Sequence, residues 1–211
     1  MTHDVELTEW YYIRHAPVKN SRKGIYNHSD GDAILPDEES IKSMVSDLPD
    51  DAIWFVSPLK RTRQTAEILR SHMKKPGEIY YDDALKEQDF GDWQRLSFEE
   101  IWQNIKDLMP HNWSLLAADT VPPNGESFND LQKRVAPFID KKSRENSKKP
   151  IIIVSHAGVI RSIIGTILNL KSDDALSLGI ETFSLSRALH QTGTGKGGQW
   201  QLKLLNKKYE R

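Results

Sequence analysis

Residues 9–20 read EWYYIRHAPVKN. An aromatic and aliphatic run, Trp10 to Ile13, ends abruptly in Arg14-His15, followed by Ala16-Pro17. Two other runs end in the same manner: AIWFV (52–56) before Ser57-Pro58, and IIIV (151–154) before Ser155-His156. Runs of this length, rich in Ile, Val, Tyr and Phe, suit strands buried on both faces of a parallel sheet.

Helical patterns separate these strands. SPLKRTRQTAEILRSHM (57–73) predicts a helix with Ser57 as N-cap and Pro58 at the first helical position, where its missing N–H costs nothing. HAGVIRSIIGTILNL (156–170) repeats apolar residues at helical spacing. SFEEIWQNIKDLM (97–109) puts Ile101, Trp102, Ile105, Leu108 and Met109 on one face, with Trp102 expected in the core. ESFNDLQKRVAPFIDKK (126–142) starts a helix with Ser127 and Asp130 as a capping box, and Pro137 inside it predicts a kink or an early break. EIYY (78–81) reads as a further strand, and the C-terminal stretch 183–206, alternating around GTGKGG, as a hairpin at a sheet edge. GTGKGG lacks the Ser or Thr that a phosphate-binding loop needs after Lys196, so it reads as a turn. Alternating strands and helices predict an α/β fold: a three-layer α/β/α sandwich with a mostly parallel central sheet.

Composition narrows the class. At 211 residues the chain suits one α/β domain with an insertion. With 29 Lys and Arg against 30 Asp and Glu, the net charge is −1, which argues against a nucleic-acid or anionic-membrane partner. There is no cysteine, which excludes disulfide scaffolds and thiolate chemistry. The N-terminus has no signal-like apolar core and no run approaches a membrane span, so a cytoplasmic protein is expected.

Ligands of open α/β sheets bind beyond the carboxyl ends of the strands, where helix N-termini attract anions. Arg14, His15, Ser57, Arg61 and His156 all fall at such ends or in the first turn after them. Arg14 and Arg61 suit bidentate binding of a phosphate. Neighbouring cations disfavour an imidazolium at His15, which leaves a ring nitrogen able to attack phosphorus. Glu87, in LKEQDFGDW (85–93), is a candidate proton donor to the leaving alkoxide, and a bound phosphate beside it favours the donating form. Taken singly, His15 and His156 read as satisfied core histidines; the company of Arg14 and the order of the motifs that contain them favour function. His3, His72, His111 and His190 show no such pattern and are expected at the surface, and Phe90 and Trp93 are expected to pack.

RHA (14–16), SPLKRTRQTAEIL (57–69), LKEQDFGDW, NGES (124–127) and IIIVSHAGVIR (151–161) follow in an order that resembles the histidine phosphatase superfamily. Within it, the chain is similar to the alpha-ribazole phosphatase and phosphoglycerate mutase-like branch, from about Trp10 to the C-terminal hairpin. The resemblance implies a phosphoglycerate mutase-like fold and a single domain over 1–211, with 91–125 a small cap-like insertion over the active site. It implies His15 as phospho-acceptor, Arg14 and Arg61 as phosphate ligands, His156 as a second imidazole on the transferring phosphoryl group, and Glu87 as proton donor. No cofactor and no metal are implied, and the implied partner is a small phosphorylated substrate.

The chain departs from the family pattern after the nucleophile. Ala16 stands where glycine is common, and Ser21 stands at the usual position of an asparagine, with Asn20 one place early. Either Asn20 or Ser21 is therefore a candidate phosphate ligand, while Asn27 or His28 is a candidate for the pocket mouth. The expected activity is phosphomonoester hydrolysis through phosphohistidine at His15, with an alpha-ribazole phosphatase-like substrate as a candidate. The alternatives are phosphoglycerate mutase-like transfer and a non-catalytic phosphoester-binding module.

Overall fold

The computed structural model describes residues 5–19, 31–145 and 148–209. Strands β1 (Leu7–Arg14), β2 (Ile53–Val56), β3 (Glu78–Tyr81), β4 (Ile151–Ser155), β5 (Ser184–Gln191) and β6 (Trp200–Lys208) form one sheet in the order β3-β2-β4-β1-β5-β6. β3, β2, β4 and β1 are mutually parallel, and β5 and β6 are antiparallel additions. The glycine-rich stretch is the turn of the β5–β6 hairpin, with Gly197 and Gly198 at positive φ and β6 at the sheet edge.

Period-two alternation in β1 splits its side chains between two layers. Trp10 and Tyr12 enter a cluster with Phe128, Leu131 and Val135 of α4 (Phe128–Arg144) and with Val159, Ile160, Ile163 and Ile164 of α5 (Ala157–Ile167). Tyr11 and Ile13 enter the opposite cluster with Ile41 and Met44 of α1 (Glu38–Ser46) and with Ala66 and Leu69 of α2 (Lys60–Ser71). β4 is buried at every position and supplies both layers. The α/β/α sandwich follows from these central strands, which have no face left for water.

Segment 91–125 carries its own small cluster of Trp93, Ile101, Ile105 and Leu116 around α3 (Phe98–Ile105). Its ends meet: Asp92 N–H donates to Pro123 O at 2.9 Å, and Glu126 N–H donates to Asp89 O at 2.8 Å. Gly91, at φ +49°, permits that approach, since a Cβ there would lie 2.0 Å from Pro123 O.

Four expectations about local structure need correction. α2 starts at Lys60 with Leu59 in the N-cap position, because the Ser57 hydroxyl is engaged by His156 and Thr62 Oγ1 donates to Ser57 O and Leu59 O. α4 runs through Pro137 to Arg144 without a break, held beyond the proline by buried Phe138 and Ile139. α3 stops at Ile105, which leaves Leu108 and Met109 exposed. Trp102 is 49% exposed, because the helix buries only its Ile101–Ile105 stripe. His190 is 4% exposed: its β5 position faces inward, with its ring 4.5 Å from that of Trp200. His72 and His111 are partly exposed, and His3 lies outside the described residues.

The Ser127–Asp130 capping box forms as expected and starts α4. Leu131, one turn later, is fully buried between this helix and the sheet. Leu131→Ala is therefore expected to lower unfolding free energy by about 2–5 kcal/mol, read as a reduced urea midpoint at unchanged slope.

Candidate active site

The sheet register builds the site. Arg14 of β1 lies opposite Ser155 of β4, and His15 N–H donates to Ser155 O at 3.0 Å. Each histidine is the first residue past its strand, so the two rings meet at the same edge with centroids 5.1 Å apart. Val56 pairs with Val154 next door, and Ser57 N–H donates to Val154 O at 3.0 Å, which brings the start of the α2 segment to the same edge.

The hydrogen bonds of His15 define its tautomer. Arg61 Nε donates to His15 Nε2 at 3.3 Å, and a guanidinium has no lone pair to offer, so Nε2 carries the lone pair. The ring proton is then on Nδ1, which donates to Ala16 O at 2.7 Å. Ala16 N–H is held by Thr65 Oγ1 at 3.0 Å, and Thr65 Oγ1 donates to Arg61 O at 2.7 Å. Thr65 thus ties the turn after the nucleophile candidate to α2, fixing backbone on both sides.

Arg14 Nη1 donates to Ile180 O at 2.6 Å, which orients its guanidinium. Its Nε is buried and has no hydrogen-bond partner among the described residues, as is true of His156 Nδ1. The other ring nitrogen of His156, Nε2, lies 2.9 Å from Ser57 Oγ. His156 is also the N-cap residue of α5, whose first turn adds the positive end of its dipole.

Glu87 reaches this edge from the loop after β3, with its carboxylate against the first turn of α5. A Cβ at Gly158 would lie 2.6 Å from Glu87 Oε1, so only glycine there leaves the carboxylate its place. The flanking backbone is clamped. Arg134 of α4 donates to Ala84 O at 2.8 Å and, from both Nη atoms, to Lys86 O at 3.1 Å. It also pairs with Glu126 at 2.6 Å. Glu126 in turn accepts from Asp89 N–H at 3.0 Å, and its carbonyl accepts from Gln88 Nε2 at 2.9 Å. Ser155 Oγ donates to Leu85 O at 2.8 Å, joining the loop to the end of β4.

A cavity of about 450 Å³ adjoins these groups; its lining includes Arg14, Arg61, Glu87 and Gly158 together with Gln94, Phe98 and residues 113–117 of segment 91–125. Among the described residues no group of three or more His, Cys, Asp or Glu side chains is arranged to hold a metal ion. No helix among them is long and apolar enough to cross a membrane.

Arg14, His15, Arg61, Glu87 and His156, drawn from four separate stretches of sequence, are thus brought together. Asn20, Ser21, Asn27 and His28 lie outside the described residues. Trp113 lines the cavity whereas Trp102 does not, and Phe90 both packs on the small cluster and lines the cavity. Sequence reasoning missed the Ser57–His156 bond and the Arg134–Glu126 clamp. Both lie within motifs visible in the sequence, SPLKR and NGES, but neither motif shows its distant partner.

The profile of the histidine phosphatase superfamily (branch 1) matches residues 10–208, and the chain belongs to that family. Over 133 residues it is 29% identical to a 2,3-bisphosphoglycerate-dependent phosphoglycerate mutase of Rhizobium rhizogenes, covering 62% of this chain and 63% of that enzyme. The chain thus spans less than two thirds of that mutase. It is 25% identical over 173 residues to the adenosylcobalamin/alpha-ribazole phosphatase of Escherichia coli, covering 77% of this chain and 80% of that protein. Among solved structures, the mycobacterial glucosyl-3-phosphoglycerate phosphatase superposes with a TM-score of 0.76 at 20% identity, covering 96% of this chain and all of that one. Bacillus stearothermophilus YhfR superposes with a TM-score of 0.73 at 23% identity, covering 93% and 96%. At such identities these two structures speak for the fold: a phosphoglycerate mutase-like α/β/α sandwich.

Burial, and then the charges of Arg61 and Arg14, hold the His15 imidazole well below the usual histidine range, with the Ala16 carbonyl opposing weakly. His156 is lowered likewise, by burial first and then by Arg61, His15 and Arg14. Below about pH 6.5 the unfolded chain protonates both rings while the folded one does not. Their contribution to stability is thus fully present above that pH. It is lost as pH falls, by at most about 2.7 kcal/mol per pH unit for the pair. Urea midpoints measured between about pH 7.5 and 5.5 should fall steeply for the wild type and less steeply for His156→Gln.

Proposed function

We propose that the protein is a phosphomonoesterase that works through a phosphohistidine at His15. The carrying observation is the His15 tautomer: Nδ1–H is anchored on Ala16 O, and the Nε2 lone pair sits beside Arg61, at the edge where Arg14 and His156 also lie. In the first step Nε2 attacks phosphorus, the ester P–O bond breaks, and the leaving alkoxide takes a proton from the Glu87 carboxyl group. In the second, water attacks phosphorus, Glu87 takes its proton, the P–N bond breaks and phosphate leaves with His15 neutral again.

Arg14 and Arg61 are the groups we assign to the phosphoryl oxygens, where charge builds in the transition state. We assign the Ser57 O–H as donor to His156 Nε2, which keeps that ring's proton on Nδ1 and directs the Nδ1–H to a phosphoryl oxygen as well. Segment 91–125 acts as the cap of a single catalytic domain. Relatives of this family that carry phosphatase names support hydrolysis of a small phosphorylated substrate, with an alpha-ribazole-like phosphate among the possible esters.

The mutase relatives favour a second reading, in which the phosphoryl group returns to the substrate instead of passing to water. Interconversion of 2- and 3-phosphoglycerate without release of phosphate is the outcome that would select it.

Brief incubation with a radiolabelled phosphomonoester and an alkaline quench should trap an acid-labile, alkali-stable label on the wild type and none on His15→Ala. A label that persists in the variant would exclude His15 as acceptor. Glu87→Gln is expected to lower kcat/KM, which reads only the steps up to phosphorylation of His15, by about a hundredfold or more for alkyl phosphates. The loss should be much smaller for 4-nitrophenyl phosphate, whose leaving group needs no proton; an equal loss on both esters would remove Glu87 from the role of acid.

A further inference from the structure

We infer that the cavity beside Arg14 and Arg61 selects phosphate esters whose alcohol is a flat apolar group, aryl or arylalkyl, over esters of polyhydroxylated alcohols. This rests on the phosphatase reading for its chemistry, but its structural basis is separate. Because Arg14, Arg61, Glu87 and Gly158 line the same space as the walls, an ester held by its phosphate projects its alcohol towards those walls.

The walls are Phe90, Phe98, Trp113, Leu115, Leu116 and Phe128. Leu116 and Phe128 are buried, while Phe98 and Trp113 stand 48% and 75% exposed. Two aromatic side chains thus leave large apolar surface in water at this cavity. A flat ring laid against them takes that surface out of water, which is the favourable term for such a ligand.

Several polar groups around the same space already hold a protein partner. Lys86 pairs with Asp83 at 3.0 Å, and Asp89 Oδ1 accepts from Gly91 N–H at 2.9 Å and from the Gln94 amide. Gln88 Nε2 donates to Glu126 O at 2.9 Å, and Arg161 Nε donates to Leu178 O at 2.7 Å. Ser114 adds one hydroxyl to the lining. A polyhydroxylated alcohol entering here gives up hydrogen bonds to water and meets mainly carbon, which disfavours it.

The test compares benzyl phosphate with glycerol 3-phosphate, both esters of alkanols, so that intrinsic reactivity does not decide the result. The wild type should show at least about a tenfold higher kcat/KM for benzyl phosphate, and Trp113→Ala should reduce that ratio by about fivefold or more. A ratio near one, or a ratio that Trp113→Ala leaves in place, overturns the inference. Calorimetry with benzylphosphonate and 2,3-dihydroxypropylphosphonate reads the same preference without turnover. Tighter binding of benzylphosphonate with a negative heat-capacity change is expected, and equal affinity overturns it. A protein that binds benzylphosphonate selectively yet hydrolyses neither ester contradicts the phosphatase reading alone.

Discussion

Arg14 lies opposite Ser155 across a parallel pair of strands, and everything chemical in this molecule depends on that register. A shift of one residue would turn His15 or His156 to the other face and separate the rings, because side chains alternate along a strand. The register is specified by burial. Trp10 and Tyr12 must face α4 and α5 while Tyr11 and Ile13 face α1 and α2, and β4 is buried throughout. Core packing thereby aligns two histidines to within one ring contact at the carboxyl edge of the parallel strands.

Around that edge, rigidity comes from groups outside the cluster of Arg14, His15, Arg61, Glu87 and His156. Thr65 joins Ala16 to Arg61 through one hydroxyl, so the turn after His15 and the backbone of Arg61 move together. Arg134 and Glu126 do the same for the loop bearing Glu87, satisfying carbonyls that an irregular loop would otherwise leave to water. A site built to hold charge needs such supports, since a cation or a carboxylate displaced by an ångström loses most of its effect.

Much of this was legible beforehand. Three apolar runs, each ending in a polar cluster, implied a parallel sheet with its functional groups at one edge, and Arg14, His15, Arg61 and His156 followed from their positions after those runs. The misreadings share a cause. Ser57 was read as a cap for a helix that begins three residues later, since serine caps helices commonly and its contact with a histidine 99 positions away leaves no local trace. Of the kink or early break that Pro137 predicts, the break does not occur, because the burial of Phe138 and Ile139 outweighs one missing hydrogen bond. Trp102 was placed in the core by helical spacing, yet α3 is short and covers a small cluster that needs only Ile101 and Ile105.

By itself, the sequence determined the layer architecture and the placing of Arg14, His15 and His156 at strand ends, because burial on both faces of a strand and polar strand ends are written in residue order. Only the tertiary structure decided which nitrogen of His15 bears the proton, what holds Glu87 against Gly158, and which aromatic residues wall the cavity. Those depend on hydrogen bonds and contacts between residues far apart in the chain, whose geometry exists only once the layers have packed.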